Sequence, residues 1–306
     1  MRTIPVSVVG GYLGAGKTTL INHLLSTTQQ RLAVLVNDFG DINIDVDLIA
    51  SHDGETLSLA NGCICCSLVD GFASALETVL AVDPPPERIV VETSGVADPA
   101  TVAAYSHGNG LRPDATIVVA DAEQIRRRAR DEYVGDTVLG QLRSAEVLVL
   151  NKADLVEAAA LDACREWLRT IAPDAAVIEA SHARVDEALL FDLDLGGADR
   201  GDTGAAESPN VAPHVADGLD HRTWTITSAE PMTREALDAV MDELGPEVVR
   251  AKGPVWLADE PDTRMLLQRV GARWTLEPLG EWPGGASPAT SVVVIATQPR
   301  DRDNAQ

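Results

Sequence analysis

The sequence predicts an α/β fold: a doubly wound, mostly parallel sheet followed by a smaller α+β domain. Three observations carry this expectation. An apolar β run, Ile4 to Val9, leads through a glycine-rich loop into an amphipathic helical run, Thr18 to Leu25. Further apolar β runs then alternate with helical stretches, and residues suited to phosphate chemistry stand at the C-terminal ends of those runs. Beyond residue 218 the pattern changes to alternating strands around one amphipathic helix, Thr233 to Leu244, as expected of a mostly antiparallel sheet. The division expected is a first domain over 1–195, a linker over 196–218 rich in Gly, Ala, Asp, Ser and Pro, a second domain over 219–298, and a polar tail over 299–306.

Composition narrows the function. The 306 residues suffice for two domains, and 45% apolar content is that of a globular chain. No apolar run approaches the roughly 18 residues that a membrane span needs. The first strand begins almost at the N-terminus, so a signal peptide is not expected and a cytoplasmic location is. A formal charge of −23 repels phosphate backbones, which argues against nucleic acid as a partner. Of the four cysteines, three are crowded together, which in a reducing compartment reads as metal or redox chemistry and not as a disulfide framework. The only lysines are Lys17, Lys152 and Lys252, and two of them stand inside motifs where arginine would not substitute.

The first loop contains Gly-x4-Gly-Lys-Thr from Gly11 to Thr18, in the strand–loop–helix context that a phosphate loop requires. Gly11, Gly14 and Gly16 let successive N–H groups turn toward an anion, and the following helix adds its positive end. Lys17 supplies a point charge for β- and γ-phosphates, and Thr18 a hydroxyl for Mg²⁺. Arg31 to Asn37 reads as a buried strand. Asp38 to Asp47 is an acidic loop, either solvated or a switch near the nucleotide and its metal.

After Leu57 to Leu59 comes Asn61-Gly-Cys63-Ile-Cys65-Cys66. Three thiolates at this density suit Zn²⁺, Cu(I) or another thiophilic ion, with a fourth position left for water, a His or carboxylate, or a partner. The alternatives are a redox pair and three small buried hydrophobes. Ser67 to Val82 is helical and ends at Pro84 to Pro86. Arg88 to Glu92 is a short strand leading into Glu92-Thr-Ser-Gly95-Val-Ala-Asp98-Pro99. A carboxylate at a strand end with a glycine three residues on has the layout of a γ-phosphate sensor: the Gly95 N–H for the phosphate, Glu92 for the Mg²⁺ shell or the attacking water.

Pro113 to Ala120 is the next strand, ending at Asp121. Ala122 to Leu142 is polar and partly helical, and its basic run, Arg126 to Arg130, reads as a solvated face. Glu146 to Leu150 is a buried strand that delivers Asn151-Lys152-Ala-Asp154. This is a guanine reader: the Asp carboxylate accepts from N1–H and the exocyclic amine, donors that adenine does not present in that arrangement. Lys152 lies over the base and Asn151 ties neighbouring loops. Leu155 to Ile171 is a helix in which Cys164 is a small core residue, and Ala175 to Ala180 is a last β run whose end, Ala180-Ser181, closes the base pocket. His214 and His221 are too sparse for a metal tract. Strands at Thr223 to Thr227, Val248 to Leu257, Met265 to Val270, Arg273 to Pro278 and Ser291 to Ala296 complete the second domain.

In the order IPVSVVGGYLGAGKTTLINHLL, NDFGDINID, NGCICC, ETSGVADP and NKADL, and then RAKGPVWLA and GARWTLEPLGEWP, the chain resembles the CobW-like family of P-loop GTPases, relatives of the urease and hydrogenase nickel-insertion GTPases. The resemblance implies a cytoplasmic GTP-dependent metallochaperone or metal-centre activator; slow intrinsic turnover is expected because the sequence shows no obvious water-orienting glutamine or arginine finger. It implies that Gly14, Ala15, Gly16, Lys17, Thr18 and Thr19 hold the phosphates, with Thr18 on Mg²⁺. Lys17 and Glu92 would serve catalysis with Gly95 at the γ-phosphate, and Asn151, Lys152 and Asp154 would read guanine. Cys63, Cys65 and Cys66 would bind zinc, with Co²⁺ and Fe²⁺ as alternatives, and residues just after Cys66 would touch nucleotide. The implied partner is a client metalloprotein or metal-insertion complex, and a homodimer is compatible with the family. Departures are an inter-domain stretch without the His-rich tract of many members, no N-terminal client-docking extension, and an end that runs short of the family's final Arg-containing strand motif. Two other readings stand beside metal delivery: a GTP- and zinc-dependent scaffold that docks a cobalamin-biosynthesis, metalloenzyme-activation or ribosome-associated partner, and a redox sensor in which Cys63 and Cys66 form a disulfide.

Overall fold

The computed structural model describes residues 3–36, 56–58, 79–106, 108, 110–191, 221–283 and 287–297. The acidic loop at 38–47, the cysteines Cys63, Cys65 and Cys66, most of the helical run that ends at Val82, the linker at 196–218 and the tail at 299–306 lie outside them. The chain divides into two compact units, Met1–Phe191 and Asp192–Gln306.

In the first unit, runs such as Val147–Leu150 are buried at every position, and such double-sided burial suits strands covered on both faces. The strands are β1 (Ile4–Gly10), β2 (Leu32–Val36), β3 (Thr56–Ser58), β4 (Arg88–Glu92), β5 (Leu111–Asp121), β6 (Val147–Asn151) and β7 (Ala176–Glu179). They form one seven-stranded sheet in the order β3-β2-β4-β1-β5-β6-β7, and every pairing is parallel. The sheet is therefore wholly parallel among the described residues. Successive crossovers fill one side of β1 and then, after β4, the other. This reversal creates the crevice at the C-terminal strand ends where ligands of such sheets bind. Register aligns those ends: Val9 stands beside Glu92, and Asp121 beside Asn151.

The helices α1 (Lys17–Thr27), α2 (Pro99–Ala104), α3 (Ile125–Arg128), α4 (Gly135–Arg143), α5 (Ala158–Ile171) and α6 (Glu187–Leu190) flank the sheet. Val138 and Leu142 of α4 and Leu161, Cys164 and Leu168 of α5 pack with Val118, Ala120, Leu148 and Leu150 of the sheet. Truncating one such leucine to alanine costs about 2–5 kcal/mol.

The structure refines several expectations. The stretch 122–142 is two helices, α3 and α4. The helix expected from Leu155 begins at Ala158, because Ala153–Leu155 forms a separate 3-10 turn and Glu157 is extended. Two short helices, α2 and α6, were not anticipated. Each starts at an aspartate whose carboxylate caps it, Asp98 accepting from the Ala100 N–H and Asp186 from the Ala188 N–H. A buried cluster also lay unseen in what read as a plain β run. Arg88 is 2% exposed. Its guanidinium donates to the Asp114 carboxylate and to Ser7 Oγ, and it lies 4.4 Å from the Phe191 ring. A charge buried this deeply persists only when paired.

The second unit is a five-stranded antiparallel sheet in the order β11-β10-β9-β12-β8, built from β8 (His221–Ser228), β9 (Val248–Trp256), β10 (Thr263–Val270), β11 (Arg273–Glu281) and β12 (Thr290–Thr297). One described helix, α7 (Arg234–Glu243), packs Leu237 and Met241 on Ala251, Val255, Leu267 and Val294. Thr233 caps its start, its hydroxyl accepting from the Ala236 N–H at 3.2 Å. Beyond its end, Arg269 donates to the carbonyls of Met241 and Leu244 at 2.5 and 3.1 Å, satisfying acceptors the helix leaves over. Burial holds that guanidinium below the usual arginine range, opposed by Asp242 and Glu247.

Candidate nucleotide site

The loop between β1 and α1 is shaped by glycines where nothing else fits. Gly11, Gly14 and Gly16 have φ of 133, 77 and 108°, in the left-handed half of conformational space. A Cβ on Gly11 would lie 2.2 Å from the Val119 carbonyl oxygen, and one on Gly16 would lie 2.5 Å from Asn151 Nδ2. Around Gly14 the space is open. The result is a tight curl that presents backbone on one side, which suits a phosphate chain. Lys17, 8% exposed, donates from Nζ to the Gly11 carbonyl at 3.0 Å, so its ammonium lies across the same curl.

Glu92 and Thr18 come from elements 74 residues apart, and the Thr18 hydroxyl donates to Glu92 Oε1 at 2.9 Å. Glu92 is 2% exposed, at the end of β4. Two hard oxygen donors, one at the end of β4 and one at the start of α1, suit Mg²⁺, which takes carboxylate and hydroxyl oxygens. Beyond Glu92 the chain runs along the phosphate loop. The Thr93 N–H donates to the Val9 carbonyl at 2.9 Å, and a Cβ on Gly95 would lie 2.9 Å from the Leu13 backbone nitrogen. Gln141 of α4 fixes this segment, its amide donating to the carbonyls of Gly95 and Ala97 at 3.1 and 2.8 Å.

The third wall comes from β6 and the loop after β7. Asn151 joins both: its amide donates to the Ala15 carbonyl at 2.8 Å, and its Oδ1 accepts from the Ala183 N–H at 2.7 Å. The Ala153 N–H donates to the Ala180 carbonyl at 3.0 Å, which brings the stretch around Ala180-Ser181 beside Asp154. The Asp154 side chain is one-third exposed, with His182 Nε2 3.9 Å away. Lys152 has φ 62° and pairs with Asp121 at 2.7 Å.

The structure thus brings Gly11, Gly14, Ala15, Gly16, Lys17, Thr18, Thr19, Glu92, Gly95, Asn151, Lys152 and Asp154 to the C-terminal edge of one sheet. Cys63, Cys65 and Cys66 lie outside the described residues. Among those described, no cluster of three His, Cys, Asp or Glu groups suits a metal ion. Cys164 is 1% exposed in the core, and burial pushes its thiol from 9.0 up to about 11, with Arg126 pulling the other way. Sequence reasoning missed Asp121 and Gln141. A carboxylate ending a buried strand, as Glu92 does, was a readable signal for Asp121. Gln141 had none. In the basic run, Arg127 and Arg128 donate to Gln124 Oε1, and Arg128 also lies over the Tyr12 ring of the phosphate loop at 5.5 Å. No described helix is long and apolar enough to cross a membrane.

Comparison with known proteins gives the following. Residues 5–179 match the family model described as CobW/HypB/UreG, nucleotide-binding domain, and residues 221–306 match the cobalamin synthesis protein cobW C-terminal domain. A Sinorhizobium protein named zinc chaperone CobW is 30% identical over 349 residues, covering 97% of this chain and 94% of its own. The zinc chaperone YjiA of Escherichia coli K12 is 28% identical over 313 residues, covering 97% and 95%. The crystal structure of Zn(II)-bound YjiA GTPase from E. coli aligns over 98% of this chain and 96% of that one, with 23% identity and a TM-score of 0.49.

Proposed function

The chain belongs to the CobW/HypB/UreG family and is a GTPase, and on that premise we propose that it couples GTP state to zinc held by Cys63, Cys65 and Cys66 and hands the metal to a client protein. The domains are the nucleotide domain 1–195, a linker 196–218 and a second domain 219–298.

Gly11, Gly14, Ala15, Gly16 and Thr19 take the phosphates on backbone N–H groups, and the Lys17 ammonium turns from the Gly11 carbonyl to the β- and γ-phosphates. Thr18 and Glu92 would hold Mg²⁺, which when bound neutralises charge on the phosphate oxygens. The Gly95 N–H meets the γ-phosphate, and Glu92 orders the attacking water. Asn151 braces the base loop against the phosphate loop, Lys152 covers the base, and Asp154 accepts from the guanine edge.

The observation that carries the coupling is a register. Val36, the last residue of β2, stands beside both Glu92 and Ser58, the last residue of β3. Two strand spacings, about 10 Å, separate Ser58 from Glu92. Cys63 follows Ser58 by five residues, a reach of at most about 18 Å. On this reading Cys63 is tethered through the sequence to the edge that carries Glu92. The relatives named zinc chaperones support zinc as the cargo.

The nucleotide half is tested by base selectivity. Losing two charge-assisted hydrogen bonds to guanine corresponds to a preference for GTP over ATP of about a hundredfold or more. Calorimetry should show this in the natural protein. In Asp154→Asn, GTP binding should collapse and XTP binding appear, because an amide can donate to the xanthine oxygen. Equal affinity for ATP and GTP would refute the assignment.

A further inference from the structure

Lys152 is held from behind. Its φ of 62° is unusual for a non-glycine residue, and such a conformation costs of order 1 kcal/mol, so surrounding structure must enforce it. Backbone bonds set the turn, the Ala153 N–H donating to the Ala180 carbonyl and the Leu155 N–H to the Lys152 carbonyl, both at 3.0 Å, and the side chain is held by Asp121. Its Oδ2 accepts from the Lys152 ammonium at 2.7 Å, and its Oδ1 accepts from the N–H groups of Glu123 and Gln124 at 2.9 and 3.1 Å. The carboxylate cannot swing away without opening that turn. Its origin is fixed too, because Asp121 and Asn151 are register partners in β5 and β6. The Asp121 side chain is 10% exposed and that of Lys152 31%, so the pair is shielded enough to matter.

A lysine stem is flexible and, unheld, samples many rotamers. One whose ammonium is anchored has a defined path for its methylenes and loses less entropy when a base lies against them. Resting on the guanine-nucleotide reading above, we propose that Asp121 is a positioning residue: through the ion pair it presets the Lys152 stem as the platform for the purine. Nucleotide affinity depends on it. Turnover at saturation and the choice of guanine over adenine, which belongs to Asp154, do not.

The test is Asp121→Asn, which keeps an oxygen for the two backbone N–H groups and removes the charge. Calorimetry with GDP and a non-hydrolysable GTP analogue should show both weakened by the same factor, about five- to tenfold. The GTP-to-ATP ratio, kcat at saturating GTP and the thermal midpoint should stay near those of the natural protein. Lys152→Met removes the pair from the other side, keeps the apolar stem, and should weaken both nucleotides comparably; it also serves if Asp121→Asn does not fold. The double variant should bind no worse than the weaker single. Unchanged affinity in either single variant, additive losses in the double, or a fall in kcat for Asp121→Asn would overturn the inference alone. A natural protein that binds ATP as tightly as GTP would overturn the underlying reading and this inference with it.

Discussion

Of the four cysteines in the chain, Cys164 shows what a structural thiol is like. Its side chain is sealed between α5 and the sheet, and burial raises its thiol to about 11 from 9.0. The folded value lies above the unfolded one, so the thiol's contribution to stability is complete below about pH 9 and is lost as pH rises through about 11. A rise of that size corresponds to at most roughly 3 kcal/mol. Urea midpoints of the natural protein should fall over that window more steeply than those of Cys164→Ala, whose cavity costs stability equally at every pH. Parallel profiles would contradict this. The lone spacing of Cys164 already suggested a core residue, and the crowding of Cys63, Cys65 and Cys66 suggested ligands. Individual residues were legible where their chemistry is local. The strain of Lys152 and its anchor were not, because Asp121 stands 31 positions away.

At the level of elements, the parallel sheet was readable because its strands are continuous apolar runs and its turns carry motifs. What no run encodes is which strands become neighbours, and the site depends on that. β4 lies between β2 and β1, which sets Glu92 beside the end of β1 and within reach of Thr18. The same holds for α4, which reads as a surface helix but buries Gln141 against the Gly95 segment, 44 and 46 positions distant. The two bonds fix the Gly95–Ala97 segment, and on the proposed reading this sets Gly95 for the γ-phosphate before nucleotide arrives. Gln141→Ala should therefore weaken a GTP analogue about tenfold, the worth of two neutral hydrogen bonds, and leave GDP affinity near that of the natural protein. Stopped-flow or calorimetric titration of both nucleotides reads the ratio. Equal weakening of GDP would mean that Gln141 supports the fold and not the sensing of the third phosphate. The short helices α2 and α6 escaped notice for a different reason: four to six residues give no periodicity, and only the aspartate caps announce them.

Over the whole molecule, a formal charge of −23 favours cations and disfavours nucleic acid. The second unit contributes an antiparallel sheet closed on one side by α7, with Arg269 stitching helix end to strand. What unites the functional reading is that β3, whose last residue Ser58 precedes Cys63 by five positions in the sequence, ends at the sheet edge that carries Glu92. If nucleotide and metal share that edge, each must change the affinity of the other by the same factor. The direct measurement is a competition titration of Zn²⁺ against a chelator of known affinity, with protein loaded in turn with a GTP analogue and with GDP, both in Mg²⁺, and repeated on Cys65→Ala. Zinc should bind at least about fivefold more tightly in the triphosphate state, the low end of ordinary coupling, and the difference should vanish with Cys65. Identical zinc affinities in the two nucleotide states would contradict the coupling and leave a GTPase whose cysteines serve something else.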